Sequence, residues 1–195
     1  MSSHNAIPQL PPHRGDSYLP DFVGPTPTSG RSPFVVSTAE LVRAYGSTDA
    51  RCDLLEGLIN FRSRARKLGI NGIQWLDGSF VSDVETREGR PPNDIDVVTH
   101  FQSSLTQQQL FAQDPELFQQ QATRKLFGID HYWFDAGRNK PFVVLQVGCY
   151  WHGMWSRSKD PVAPASKGYI ALILDASDAD DLAAQQAINT ARTTP

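Results

Sequence analysis

Two short runs decide the reading of this chain: Gly72-Ile73-Gln74-Trp75-Leu76-Asp77-Gly78-Ser79-Phe80-Val81 and Pro91-Pro92-Asn93-Asp94-Ile95-Asp96-Val97-Val98-Thr99. The first is an apolar run through Ile73, Trp75 and Leu76 that Gly78-Ser79 brings to a stop. The second sets two carboxylates immediately before Val97-Val98. Side chains alternate along a strand, so residues i and i+2 share a face. Asp94 and Asp96 therefore point the same way, with Ile95 and Val97 on the buried side. Two like charges held side by side repel unless something compensates. A divalent cation is the usual remedy, and Mg²⁺ is commonly held by one or two carboxylates together with substrate phosphates.

A strand ending in Gly78-Ser79, followed by a strand with Asp94-x-Asp96, resembles the signature of the polymerase-β-type nucleotidyltransferase superfamily. The intervening fourteen residues, 80–93, make a longer gap than that signature usually has. The fuller string, Asp77-Gly78-Ser79-Phe80-Val81 with Asp94-Ile95-Asp96-Val97-Val98, resembles a small bacterial branch, the uncharacterised DUF6932-like proteins. The resemblance implies an α/β (α+β) fold, a mixed β-sheet flanked by helices, over most of residues 36–174. It also implies transfer of a nucleoside monophosphate from an NTP to a hydroxyl acceptor. Asp94 and Asp96 would hold two Mg²⁺ ions, with Mn²⁺ as a substitute. A third carboxylate would arrive on a later strand. Asp130 resembles it in position, with Asp135 as the runner-up. Gly78 and Ser79 would meet the nucleotide phosphates, as would Lys167, whose Lys-Gly opens a late strand. The pattern usually has a basic residue soon after the Gly-Ser-Phe-Val segment; here Asp83, Val84 and Glu85 stand there, with Arg87 and Arg90 further on.

Composition sets the outer limits. A chain of 195 residues is one domain's worth, and 39% hydrophobic with 20% charged residues suffices for a core. A net charge of −3 argues against a protein wrapped in nucleic acid by bulk charge, while leaving room for a local basic patch. Cys52 and Cys149 stand far apart and outside any metal-ligand spacing, which points to reduced thiols and a cytoplasmic setting. No apolar run reaches the ~20 residues of a membrane span, and the N-terminal residues carry no secretory pattern.

Residues 1–33 are rich in Pro, Ser and Gly and read as a disordered or surface-draped tail, which Leu10, Tyr18, Leu19 and Phe22 could pin to a domain spanning 34–195. Ser37-Thr38-Ala39-Glu40 starts a short helix ending near Gly46. Ser47 or Thr48 caps a second, whose Leu54, Leu55, Leu58, Phe61, Ala65 and Leu68 form one apolar stripe, and Gly69 ends it. Arg62, Arg64, Arg66 and Lys67 read as a solvated, dipole-compensating helix end. Residues 82–93 read as a surface loop or hairpin tip. Residues 104–125 read as a Gln-rich helix broken at Asp114-Pro115, and 127–134 as a strand in which Asp130 is the odd residue out. The strongly apolar stretch from Pro141 to Trp155 fits a buried helix or a strand by periodicity, and the proline favours a helix starting there. A strand near 167–174 and an acid-capped terminal helix complete the chain.

Two other readings fit the same residues. One is a catalytically silent version of the fold serving as a binding or antitoxin-like module. The other is a metal nuclease, for which Gly78-Ser79 would have no purpose. His100, His131 and His152 lack metal-ligand spacing and read as ordinary structural histidines. The acceptor, whether RNA end, protein hydroxyl or small molecule, is not legible. A homodimer or a toxin–antitoxin-type partner is a further expectation.

Overall fold

The computed structural model describes residues 10–24, 30–159 and 164–193. Five strands, β1 (Phe34–Val36), β2 (Asn71–Asp77), β3 (Ile95–Gln102), β4 (Ile129–Asp135) and β5 (Ile170–Leu174), form one mixed sheet in the order β1-β5-β2-β3-β4. β2 runs antiparallel to both β3 and β5, and the outer pairs β1·β5 and β3·β4 are parallel. The chain is thus a mixed α/β domain with helices on its sheet. None of the described helices is long and apolar enough to cross a membrane.

On one face lie α1 (Thr38–Tyr45), α2 (Asp49–Lys67), α5 (Gln120–Phe127) and α7 (Ala179–Thr193). Ser37 and Thr48 cap α1 and α2, each accepting a backbone N–H three residues on, an interaction of about 1 kcal/mol apiece. The α2 stripe buries Leu55, Leu58, Phe61 and Ala65 against Leu76, Ile95, Val97 and Ile129 of the sheet. Leu19 of the Pro-rich lead-in is buried in this same core, and its carbonyl accepts the Gly168 N–H at 2.7 Å. Residues 1–9 and 25–29 of that lead-in lie outside the described residues.

Three expectations need correction. The arginines of α2 are not a solvated helix end. Arg62 is fully buried, donating to Asp181 of α7 at 2.9 Å, to Gln74 at 2.7 Å and to the Ile173 carbonyl at 2.9 Å. Arg66 also reaches Asp181, and Arg64 holds Asp114 and Glu116. The cluster clasps α7 and the Asp114 corner to the sheet, because its partners come from segments far along the chain. The segment 82–93 is not wholly loop: Asp83 caps a helical turn, α3 (Val84–Glu88), whose Val84 is buried. The third correction concerns α6 (Pro141–Trp155). It is a helix begun by its proline, but Trp155 alone among its residues is buried. It lies on the other sheet face, where Trp151 and Trp155 meet Tyr132, Val98, Trp75 and Tyr169. Phe142, Leu145 and Tyr150 face outward, each at least 60% exposed.

Between β3 and β4, α4 (Gln107–Gln113) starts with a capping box of Thr106 and Gln109. A 3₁₀ turn, Pro115–Phe118, separates it from α5, where Asp114 caps the turn and Pro115 occupies its first position.

Candidate functional site

The strand register assembles the site. Asp77 at the end of β2 pairs with Asp96 on β3, and Asp96 pairs with Asp130 on β4, so three carboxylates form a row across adjacent strands. Alternation puts all three on the face that carries α6, and Asp94, two residues before Asp96, joins them there. They line a cleft of about 680 Å³ at one end of the sheet. Gly78, Ser79 and Ser82 form one wall, Arg124 of α5 another, and the segment after α6 with Arg157, Lys159 and Lys167 a third.

Gly78 is where local conformation and site geometry meet. Its φ of +85° is a conformation that side-chain-bearing residues rarely adopt. A Cβ at this position would fall on Asp96 Oδ2, well inside van der Waals contact. The backbone turn after β2 is therefore pressed directly against the Asp96 carboxylate.

The four carboxylates are not equivalent. Asp77 is buried and ion-paired with the equally buried Lys167. Burial pushes its carboxyl up to about 6, against the pull of Lys167. Lys167 lines the cleft, and its ammonium is paired with Asp77. Asp130 is held by Arg124 and by the Gln120 side chain, and Arg124 also reaches Asp94 at 3.2 Å. Among the described residues, Asp96 alone of the four has no hydrogen-bonded or ion-paired partner for its carboxylate. Desolvation, then the neighbouring Asp94, push its carboxyl above the ordinary range, with Asp130 adding and Lys159 and Lys167 opposing.

The structure thus brings Gly78, Ser79, Asp94, Asp96, Asp130 and Lys167 to one cleft. Asp135, the runner-up third carboxylate, is not there: it accepts the Arg138 N–H at 3.0 Å at the far end of β4. His131 is a core residue sandwiched by Phe61 and Trp133, and burial holds its ring well below the ordinary histidine range. Sequence reasoning missed Asp77 as a member of the row, although its place at the end of a strand beside Gly78 carried the signal. It also missed Arg124, Arg157 and Lys159, for which no local pattern exists. Arg157 and Lys159 line the cleft and, among the described residues, make no ion pair.

The cleft concentrates negative charge around Asp96. Asp94, Asp96 and Asp130 converge, Asp96 is unpartnered, and burial first and then the other two raise its proton affinity. Against this, no three acidic, His or Cys side chains among the described residues stand in a ready metal-holding group. The Arg124 guanidinium supplies the positive charge between Asp94 and Asp130. Its side chain is 54% exposed; with Arg124 displaced, Asp94, Asp96 and Asp130 would be the oxygen donors for a hard divalent ion.

One family, described as a family of unknown function (DUF6932), matches residues 7–173. The chain belongs to the DUF6932 family. No curated protein and no solved structure matches it. The matched span takes in the lead-in with Leu19, the Gly78-Ser79 turn, all four cleft carboxylates and Lys167 of this DUF6932 member, and stops before α7.

Proposed function

We propose that this protein is a metal-dependent nucleotidyltransferase, moving a nucleoside monophosphate from an NTP to a hydroxyl acceptor on a nucleotidyltransferase-like sheet. The observation that carries the reading is the Asp96 carboxylate: unpartnered, flanked by Asp94 and Asp130, and pressed by the Gly78 backbone. Asp94, Asp96 and Asp130 would hold the divalent cation. When bound, it would supply charge neutralisation at the phosphates and lower the pKa of the attacking hydroxyl.

The rest falls to the chain's own residues. Gly78 lets the backbone approach a phosphate with no side chain in the way, and the Ser79 hydroxyl lies in the cleft to donate to a phosphate oxygen. Arg157 and Lys159, with Arg87 and Arg90, which share Glu88 on the opposite wall, are the cleft cations that would meet the triphosphate, since Lys167 serves Asp77. The Asp77–Lys167 pair stiffens the floor beneath Asp96 and holds Lys167's charge near it. Phosphoryl chemistry asks mainly for positioning and charge stabilisation, and these groups supply both. The acceptor would be an RNA end, a protein hydroxyl or a small molecule.

The second reading, a silent fold acting as a binding or antitoxin-like module, draws support from Arg124, which neutralises two of the three carboxylates without any metal. Calorimetry with each of the four NTPs, with and without Mg²⁺, separates the two. Metal-dependent binding of at least one NTP, weakened more than tenfold by combined Asp94→Ala and Asp96→Ala changes, is expected of the transferase. Absence of binding to the unaltered protein would favour the silent module.

A further inference from the structure

The outer edge of the sheet at β4 has a built slot beside it. Two backbone bonds fix which groups of β4 face outward: the Ile95 N–H donates to the Gly128 carbonyl at 2.9 Å, and the Ala136 N–H donates to the Phe101 carbonyl at 2.8 Å. With the parallel register between them, the even-numbered residues Asp130, Tyr132 and Phe134 spend their N–H and C=O groups on β3. The odd-numbered His131 and Trp133 turn theirs to the free edge. Among the described residues neither has a backbone partner there.

That edge is unprotected. Sheet edges are ordinarily blunted by Lys, Pro, bulges or an inward charge. The stretch His131-Tyr132-Trp133-Phe134 contains none of these, and its pairing with β3 runs without a bulge. A cavity of about 680 Å³ runs along it, with a wall on each side of the sheet plane. One wall is Phe111 and Phe118, the latter packed on Trp133 at 4.9 Å between ring centroids. The other is Val147 and Trp151, the latter packed on Tyr132 at 4.9 Å. The Trp133 indole N–H donates to the Leu117 carbonyl at 3.0 Å and so fixes the first wall to the strand. His131, which also lines the cavity, has a buried Nδ1 without a partner.

We propose that this slot docks a single extended peptide strand, which pairs with the backbone of His131 and Trp133 as a sixth strand of the sheet. A strand sends alternate side chains to opposite faces, and each wall of the slot presents apolar side chains, with Gln107, Gln108 and Gln120 as further polar lining and no Asp, Glu, Lys or Arg. The ligand is therefore an uncharged, apolar-rich segment, the main-chain bonds giving affinity and the two walls selecting its side chains. A second copy of this chain does not fit as well. Its own β4 carries the same two walls, so an edge-to-edge pair would have to seat wall against wall. The proposal stands apart from the chemistry of the cleft.

The test begins with a random dodecapeptide phage library selected on the intact protein. One selected sequence is then synthesised and studied by amide hydrogen exchange. Selected peptides are expected to share a run of consecutive apolar residues, both alternating sets of side chains meeting a wall. On binding, the His131 and Trp133 amides should slow at least tenfold, while those of Asp130, Tyr132 and Phe134, already paired with β3, should not change. Phe111→Glu, at a residue 46% exposed, should weaken binding at least tenfold with the fold intact. Phe142→Glu, on the outward face of α6, should not. Three results would overturn the proposal: no enriched sequence, enrichment at helical spacing of three and four, or binding that leaves the two amides unprotected. A free protein at twice the 21.6 kDa chain mass with both amides already protected would also overturn it, by showing that a second copy fills the slot.

Discussion

Gly78→Ala perturbs the site through a single methyl group, and its effect can be worked out against an internal control. Gly78 has φ +85° and Gly89, the residue ending α3, has φ +65°. Alanine in this left-handed region costs about 1–2 kcal/mol at either place. At Gly89 a Cβ would meet nothing within 4 Å, so that backbone term is the whole effect. At Gly78 it would also land on Asp96 Oδ2, and the carboxylate must turn off its rotamer at a further cost of about 0.5–1.5 kcal/mol. For a domain of this size each kcal/mol lowers Tm by about 2–4 °C. Gly89→Ala should therefore lower Tm by roughly 2–8 °C, and Gly78→Ala by roughly 1–6 °C more than that. Differential scanning calorimetry reads both. Gly78→Ala should also abolish metal-dependent NTP binding, which Gly89→Ala should leave alone. Equal Tm losses with NTP binding intact in both variants would refute the claim that the turn is pressed against Asp96.

The remaining predictions concern charge. Asp181→Ala leaves Arg62 buried without its carboxylate and should destabilise by about 3–5 kcal/mol in urea unfolding, whereas Arg62→Met with Asp181→Leu should cost less than the single change. Burial alone would raise the Asp181 carboxyl, but Arg62, Arg66 and Thr38 outweigh it and hold it below the ordinary value of 3.8. A depressed carboxyl contributes stability that is present above its unfolded pKa and lost as pH falls through the folded one. The acid limb of the stability curve below about pH 4 should accordingly flatten in Asp181→Asn. His131 is held neutral by burial, well below its ordinary 6.5. The unfolded chain thus takes up a proton that the folded one refuses, and stability should fall as pH drops below about 6.5; ¹⁵N NMR should find the His131 ring protonating at lower pH than an exposed histidine of the same chain. Arg124→Ala removes the guanidinium from Asp94 and Asp130 and should raise affinity for Mn²⁺ alone, measured by titration calorimetry; unchanged affinity would mean that Arg124 does not compete for the cation position.

What the sequence discloses and what it conceals follow from the range of the interactions. The Ser37 and Thr48 caps, the break at Asp114-Pro115, the Pro141 helix start and the strands around Asp77 and Asp96 are all set by neighbours within a few residues. They can be read locally. The row Asp77-Asp96-Asp130 was partly legible, because alternation fixes the face of Asp94 and Asp96 but not the register that brings Asp77 alongside. The Arg62–Asp181 clasp joins residues 119 apart, and the Lys167–Asp77 pair residues 90 apart. No periodicity encodes such partners, so Arg62 reads as a solvated cation and Lys167 as a phosphate contact or a structural residue with no partner named. The exposed face of α6 fails for a related reason. Its composition is that of a buried helix, yet on its side of the sheet the described residues include no second helical layer to cover it.

The central claim is that Asp94, Asp96 and Asp130 form one cation site, and Mn²⁺ electron paramagnetic resonance with a non-hydrolysable NTP analogue tests it most directly. Bound Mn²⁺ is expected in the unaltered protein and is expected to be lost in Asp96→Asn, an isosteric change that keeps the packing against Gly78 at a residue whose carboxylate, among the described residues, makes no hydrogen bond or ion pair. No bound Mn²⁺, or equal binding in Asp96→Asn with the fold intact, would contradict the claim and leave the carboxylates as a structural cluster neutralised by Arg124.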